Sequence, residues 1–140
     1  MSKTAVVFWS GTGNTEEMAN AVLEGMKENG ADASIYSADA FQAGDVDGYD
    51  AIAFGCPAMG AEVLEEDEFQ PLFDECKPAL EGKKVALFGS YGWGDGEWMR
   101  NWEDDCKEAG IELACDSVVC NDAPDEDAIT ACKELGAALV

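Results

Sequence analysis

The chain has 140 residues, enough for one hydrophobic core and too few for two. Apolar residues make up 47% and charged residues 27%, so a folded domain is expected and disorder is not. Thirty acidic against eight basic residues give a formal net charge of -22, which sets the chain against nucleic acid and anionic membrane surfaces, and the absence of histidine removes imidazole acid–base catalysis and every histidine-containing metal site.

Thr4–Trp9 is a continuous β-prone apolar run, read as the first strand. Its apolar core from Ala5 is far too short for a signal peptide or a membrane span, so a cytoplasmic protein is expected. Ser10-Gly11-Thr12-Gly13-Asn14-Thr15 follows, then a helical pattern with Met18, Val22 and Met26 at intervals of four. Asn29-Gly30 closes that helix. Ala33–Tyr36 and Ala51–Phe54 read as the second and third strands, the latter ending in Gly55. Phe69, Leu72, Phe73, Cys76 and Leu80 form a helical stripe. Val85–Phe88 is the fourth strand, and Trp98, Met99, Trp102 and Cys106 form another stripe. Ile111–Cys115 is expected as the fifth strand, with a possible continuation through Val118 to Cys120. Pro124-Asp125-Glu126 opens a last helix with Ile129, Cys132 and Leu135 inward.

Strands alternating with helices imply parallel pairing with right-handed crossovers. Apolar strands imply a sheet covered on both faces. The expectation is a single domain over residues 1–140. Its fold would be α/β, a doubly wound five-stranded parallel sheet of order 2-1-3-4-5 with helices on both faces. Ligands in such sheets bind beyond the carboxyl ends of the strands, which points to residues 10–15, 56–62 and 90–97. The six cysteines contain no C-x-x-C pair and mostly occupy small apolar positions, as free thiols of a reducing compartment do.

The first of these loops has two glycines for tight turning, three hydroxyls, and a helix start with unpaired N–H donors. It is a phosphate cradle without a cation. The Walker A pattern and the Gly-x-Gly-x-x-Gly fingerprint are both missing, and no Cys-x5-Arg phosphatase motif ends at Arg100.

Three segments together carry a resemblance: Phe8-Trp9-Ser10-Gly11-Thr12-Gly13-Asn14-Thr15, Gly55-Cys56-Pro57-Ala58-Met59-Gly60 and Gly89-Ser90-Tyr91-Gly92-Trp93-Gly94-Asp95-Gly96. In this order they are similar to the short-chain flavodoxins of anaerobic firmicutes. The resemblance implies one non-covalent FMN and a low-potential one-electron carrier, cycling between semiquinone and hydroquinone, that is not an enzyme. It places the phosphate on Ser10, Gly11, Thr12, Gly13, Asn14 and Thr15. Pro57, Ala58, Met59, Gly60, Ala61 and Glu62 would run past the flavin edge, with Met59 on one ring face and Glu62 accepting from N3–H. Ser90, Tyr91, Gly92, Trp93, Gly94 and Asp95 would supply a stacking indole at Trp93 and backbone N–H groups for N1 and O2. Gly60 suits the second position of a type II′ turn, and the resemblance implies that this turn flips to type II on reduction, placing a positive φ on Ala61.

Seven acids between Glu62 and Glu75 (Glu62, Glu65, Glu66, Asp67, Glu68, Asp74 and Glu75) form a candidate docking face for basic redox partner proteins around the flavin edge. A monomer is expected. Two other readings share the fold. A receiver-type signalling module would need acids at the end of the first strand, where Phe8-Trp9-Ser10 stands. An FMN-dependent NAD(P)H reductase would need a substrate-binding extension and basic groups that are not evident.

Overall fold

The computed structural model describes residues 2–11, 13–59, 63–92, 94 and 96–140. Five strands form one parallel sheet: β1 (Lys3–Phe8), β2 (Asp32–Ser37), β3 (Ala51–Gly55), β4 (Lys84–Tyr91) and β5 (Val118–Asn121), in the order β2-β1-β3-β4-β5. Among the described residues, four helices connect and cover them: α1 (Asn14–Glu28), α2 (Phe69–Leu80), α3 (Glu97–Glu108) and α4 (Glu126–Ala138). Two short 3₁₀ turns, Ala38–Ala40 and Ala43–Gly48, lead from β2 to β3.

The central strands alternate their side chains between two cores, because successive residues of a strand face opposite ways. Val7, Ile52, Phe54, Val85 and Leu87 pack against the Phe69, Leu72, Phe73 and Cys76 stripe of α2 and the Trp98, Trp102 and Cys106 stripe of α3. Val6, Ala51, Ala53, Ala86 and Phe88 face α1 and α4, through Met18, Val22 and Met26 on one helix and Cys132 and Leu135 on the other, with Leu139 just beyond it. The rings of Phe69 and Phe73 each meet Trp102 edge-on, at centroid distances of 5.4 and 5.5 Å.

The α1–α4 contact is unusually close. Gly25 lies against the Lys133 carbonyl and Gly136 against that of Val22, where a Cβ on either glycine would overlap the facing backbone. Glycine costs helix propensity at both places. Close approach of the two axes is what requires it.

The fifth strand departs from its expected place. Leu113 makes only an isolated bridge to Val85, the chain then leaves the sheet, and continuous pairing with β4 begins at Val118. The apolar run Ile111–Cys115 therefore feeds the core through Ile111 and Leu113 without forming the strand. The cysteines are free thiols, four of them buried. Burial pushes Cys56, Cys106 and Cys132 up to about 12, which keeps them neutral.

Candidate functional site at the carboxyl ends of the strands

Three loops meet beyond β1, β3 and β4, beside the point where successive strands are added on opposite sides. Direct backbone bonds set their spacing. Trp9 N–H donates to the Gly55 carbonyl at 3.0 Å, joining the first loop to the second, and Ala58 N–H donates to the Ser90 carbonyl at 3.0 Å, joining the second to the third.

In the first loop, Ser10 Oγ accepts from the N–H groups of Gly13 and Glu16 at 3.1 and 3.3 Å. Gly13 caps α1 with φ of 94°, in the left-handed region that suits glycine. Ser10 therefore shapes the loop from within, as a fold for its turn. Thr15 is 1% exposed, and its Oγ1 has no hydrogen-bond partner among the described residues. A buried hydroxyl without a partner is costly, and this one stands at the positive end of a helix dipole. No lysine or arginine occurs from Phe8 to Glu17. Hydroxyl, backbone N–H and helix terminus together fit a phosphate group bound without a cation.

The second loop leaves the sheet at Cys56. Cys56 N–H donates to the Phe88 carbonyl at 3.2 Å, and the Cys56 carbonyl accepts from Trp98 Nε1 at 3.1 Å. Met59 N–H donates to the Val63 carbonyl at 2.9 Å. The chain then enters α2 through Glu65, which is 6% exposed. The Glu65 carboxylate accepts from the N–H groups of Asp67, Glu68 and Phe69 at 2.8, 2.7 and 2.8 Å. Burial works to raise its pKa, but these hydrogen bonds prevail and hold it below the ordinary 4.5. Glu65 therefore belongs to the interior rather than to the acidic docking face where its place in the acidic run put it. Glu66, Asp67 and Glu68 beside it are exposed.

The third loop is held by a residue the motif reading passed over. Asp122 has φ of 57°, the one positive value outside glycine among the described residues. Its N–H donates to the Tyr91 carbonyl at 2.8 Å and its carbonyl accepts from Ser90 Oγ at 2.6 Å. Aspartate tolerates this conformation better than most residues. Asn121-Asp122, at the end of the fifth strand, was the available signal. Tyr91 packs against Trp98 at 5.6 Å between ring centroids. Trp98 and Trp102 are core residues, as their stripe implied.

Of the expected site residues, Ser10, Gly11 and Gly13 lie in the first loop and Asn14 and Thr15 in the first turn of α1, Pro57, Ala58 and Met59 in the second loop, and Ser90, Tyr91, Gly92 and Gly94 at or after the end of β4. Thr12, Gly60, Ala61, Glu62, Trp93 and Asp95 lie outside the described residues, and with them the expected turn and stacking indole. A cleft of about 210 Å³ adjoins the first loop, lined by Trp9, Ser10, Glu16, Ser37, Asp39 and Glu68 among others.

Comparison with known proteins agrees with this geometry. A family profile described as Flavodoxin matches residues 6–136. The chain is 46% identical to a flavodoxin of Megasphaera elsdenii over 133 residues, covering 95% of both. It is 44% identical to a flavodoxin of Clostridium beijerinckii over 131 residues, covering 94% of both. The solution structure of two-electron reduced Megasphaera elsdenii flavodoxin superposes with a TM-score of 0.90 over 97% of each chain, at 44% identity. With its sheet order, its three loops and these matches, the chain belongs to the flavodoxin family.

Proposed function

We propose that this protein is an FMN-binding electron carrier whose cofactor sits across the three loops, with its phosphate on residues 10–15. The observation that carries the placement is the buried, unpartnered Thr15 hydroxyl at the start of α1. Bound FMN supplies reversible one-electron chemistry, and the chain is a carrier, not an enzyme.

The residues divide the work of holding it. Ser10 and Gly13 shape the first loop, and Thr15 donates to the phosphate. Thr12 and Asn14 complete the cradle. Pro57, Ala58 and Met59, followed by Gly60, Ala61 and Glu62, flank the ring edge, and Trp93 stacks on the ring. Ser90, Tyr91, Gly92, Gly94 and Asp95 wall the opposite side. Such aromatic stacking contributes roughly 1–3 kcal/mol per ring.

The carrier exchanges electrons with redox partner proteins. Exposed Glu66, Asp67, Glu68, Asp74 and Glu75 form the face on which basic partners dock, with fast, salt-sensitive association. The protein acts as a monomer of one domain in the cytoplasm. No helix among the described residues is long and apolar enough to cross a membrane.

A redox titration followed by absorption spectra tests the reading. One FMN per chain and two separable one-electron steps are expected. Extraction of FAD, or no flavin bound after incubation with FMN, overturns it.

A further inference from the structure

The loop after β3 is anchored at both ends on one residue. Its departure is fixed at Cys56, whose N–H and carbonyl are held by Phe88 and Trp98. Its return is fixed at Glu65, whose N–H donates to Cys56 Sγ at 3.4 Å. The neutral thiol in turn donates to the Pro57 carbonyl at 3.6 Å. Between these points Met59 N–H donates to the Val63 carbonyl. The departure point has the sheet behind it. The return point depends on Glu65 itself, whose three side-chain hydrogen bonds tie it to the start of α2 and whose carbonyl accepts from Gln70 N–H at 2.8 Å. Glu68, the residue at the formal helix cap, makes no side-chain cap bond, so Glu65 serves in its place.

We propose that Glu65 is a positioning residue for the 57–62 loop: by joining the start of α2 to the Cys56 thiol, it fixes where the loop returns and so how the loop meets successive redox forms of the cofactor. The proposal rests on the reading that this loop flanks bound FMN. Two simpler roles give different signatures. A carboxylate acting only as a fixed charge opposes the step that leaves a net negative charge on the flavin more than a step coupled to uptake of a proton, so its loss alone changes the separation, whereas loss of the neutral Cys56 thiol does not. A carboxylate acting only as a helix cap changes the stability of α2 and leaves the potentials alone. A positioning role changes the separation even where no charge is removed, as in loss of the neutral Cys56 thiol at the other end of the same link.

The experiment is potentiometry of both one-electron steps on the FMN-loaded wild type and on Glu65→Gln, Cys56→Ala and Glu66→Gln. Glu65→Gln is isosteric but turns one acceptor oxygen into a donor that faces N–H groups. Cys56→Ala removes the loop's anchor and leaves the α2 cap intact. Glu66→Gln removes an exposed charge from the neighbouring position. Expected is a three- to tenfold change in the ratio of affinities for successive redox forms in Glu65→Gln, read as a change in separation of about 30–60 mV at about 59 mV per tenfold. Cys56→Ala, which removes no charge, should shift the separation in the same sense, and Glu66→Gln should shift it by less than Glu65→Gln. An unchanged separation in Glu65→Gln overturns the proposal, and so does a changed one that Cys56→Ala fails to reproduce. If Glu65→Gln does not fold, Cys56→Ala decides: the shift supports the anchor and its absence overturns it. A wild-type protein that takes up no FMN overturns the functional reading itself, before any variant is made.

Discussion

Trp98 on α3 donates its indole N–H to the carbonyl of Cys56, the first residue beyond β3, at 3.1 Å. One buried side chain thus joins the helix that follows the third loop to the start of the second. Trp98→Phe keeps an aromatic ring and removes the donor. The orphaned carbonyl should cost about 1–3 kcal/mol, with a further loss from the smaller ring. Urea unfolding of the flavin-free protein measures it. A change under about 0.5 kcal/mol would show that water reaches the carbonyl.

Thr15 makes opposite demands on the empty and the loaded protein. Thr15→Val replaces an unpartnered buried hydroxyl with a methyl of similar size, so the flavin-free protein should gain about 1 kcal/mol. The same change removes a donor to a charged group, worth roughly 1.5–3 kcal/mol, and FMN affinity should fall about 10- to 150-fold. Riboflavin, which lacks the phosphate, should bind almost as before. Calorimetry with both ligands checks the pair of effects, and equal losses for the two would place the phosphate elsewhere.

The acid limb of stability should carry a contribution from Glu65. Its carboxyl is held below the ordinary 4.5 in the folded protein by three N–H donors, against the effect of burial. A depressed folded pKa means that the contribution is complete above about pH 4.5 and is lost as pH falls through the folded value. Glu65→Gln does not titrate, so its stability should fall less steeply with acid below pH 4.5 than the wild type's. Denaturant titrations over that range check the slope. Parallel curves would mean that the carboxyl is not specially held.

Gly136→Ala separates packing from propensity. In an open helix the change would stabilise by about 1 kcal/mol. Here the new methyl overlaps the Val22 carbonyl of α1, and overpacking of this kind costs about 1–3 kcal/mol. Net destabilisation is expected in thermal melts. A more stable variant would show that the two helices can separate without loss.

Periodicity alone made most of the architecture legible. The apolar runs of β1, β3 and β4 and the stripes of α1, α2 and α3 report directly which surfaces are buried. The fifth strand was not legible, because Ile111–Cys115 and Val118–Cys120 are both β-prone and only pairing with Phe88 and Gly89 selects the second. The three loops were found by motif. Glu65 stood in a run of acids, and nothing local distinguishes a carboxylate in water from one turned inward on helix N–H groups. Asp122 was hidden for a related reason: its role comes from Ser90 and Tyr91, some thirty residues earlier in the chain.

The interrupted approach of β5 has a consequence for the outer edge of the sheet. A long, flat, unprotected edge is a template onto which another chain can add a strand. Here the border strand offers four residues of regular backbone, and the segment before it swings out of line between Leu113 and Val118. Glu112 and Asp116 bring carboxylates to that stretch, so an incoming strand would meet broken register and like charge from a second acidic molecule. The kink therefore guards the sheet against edge-to-edge aggregation.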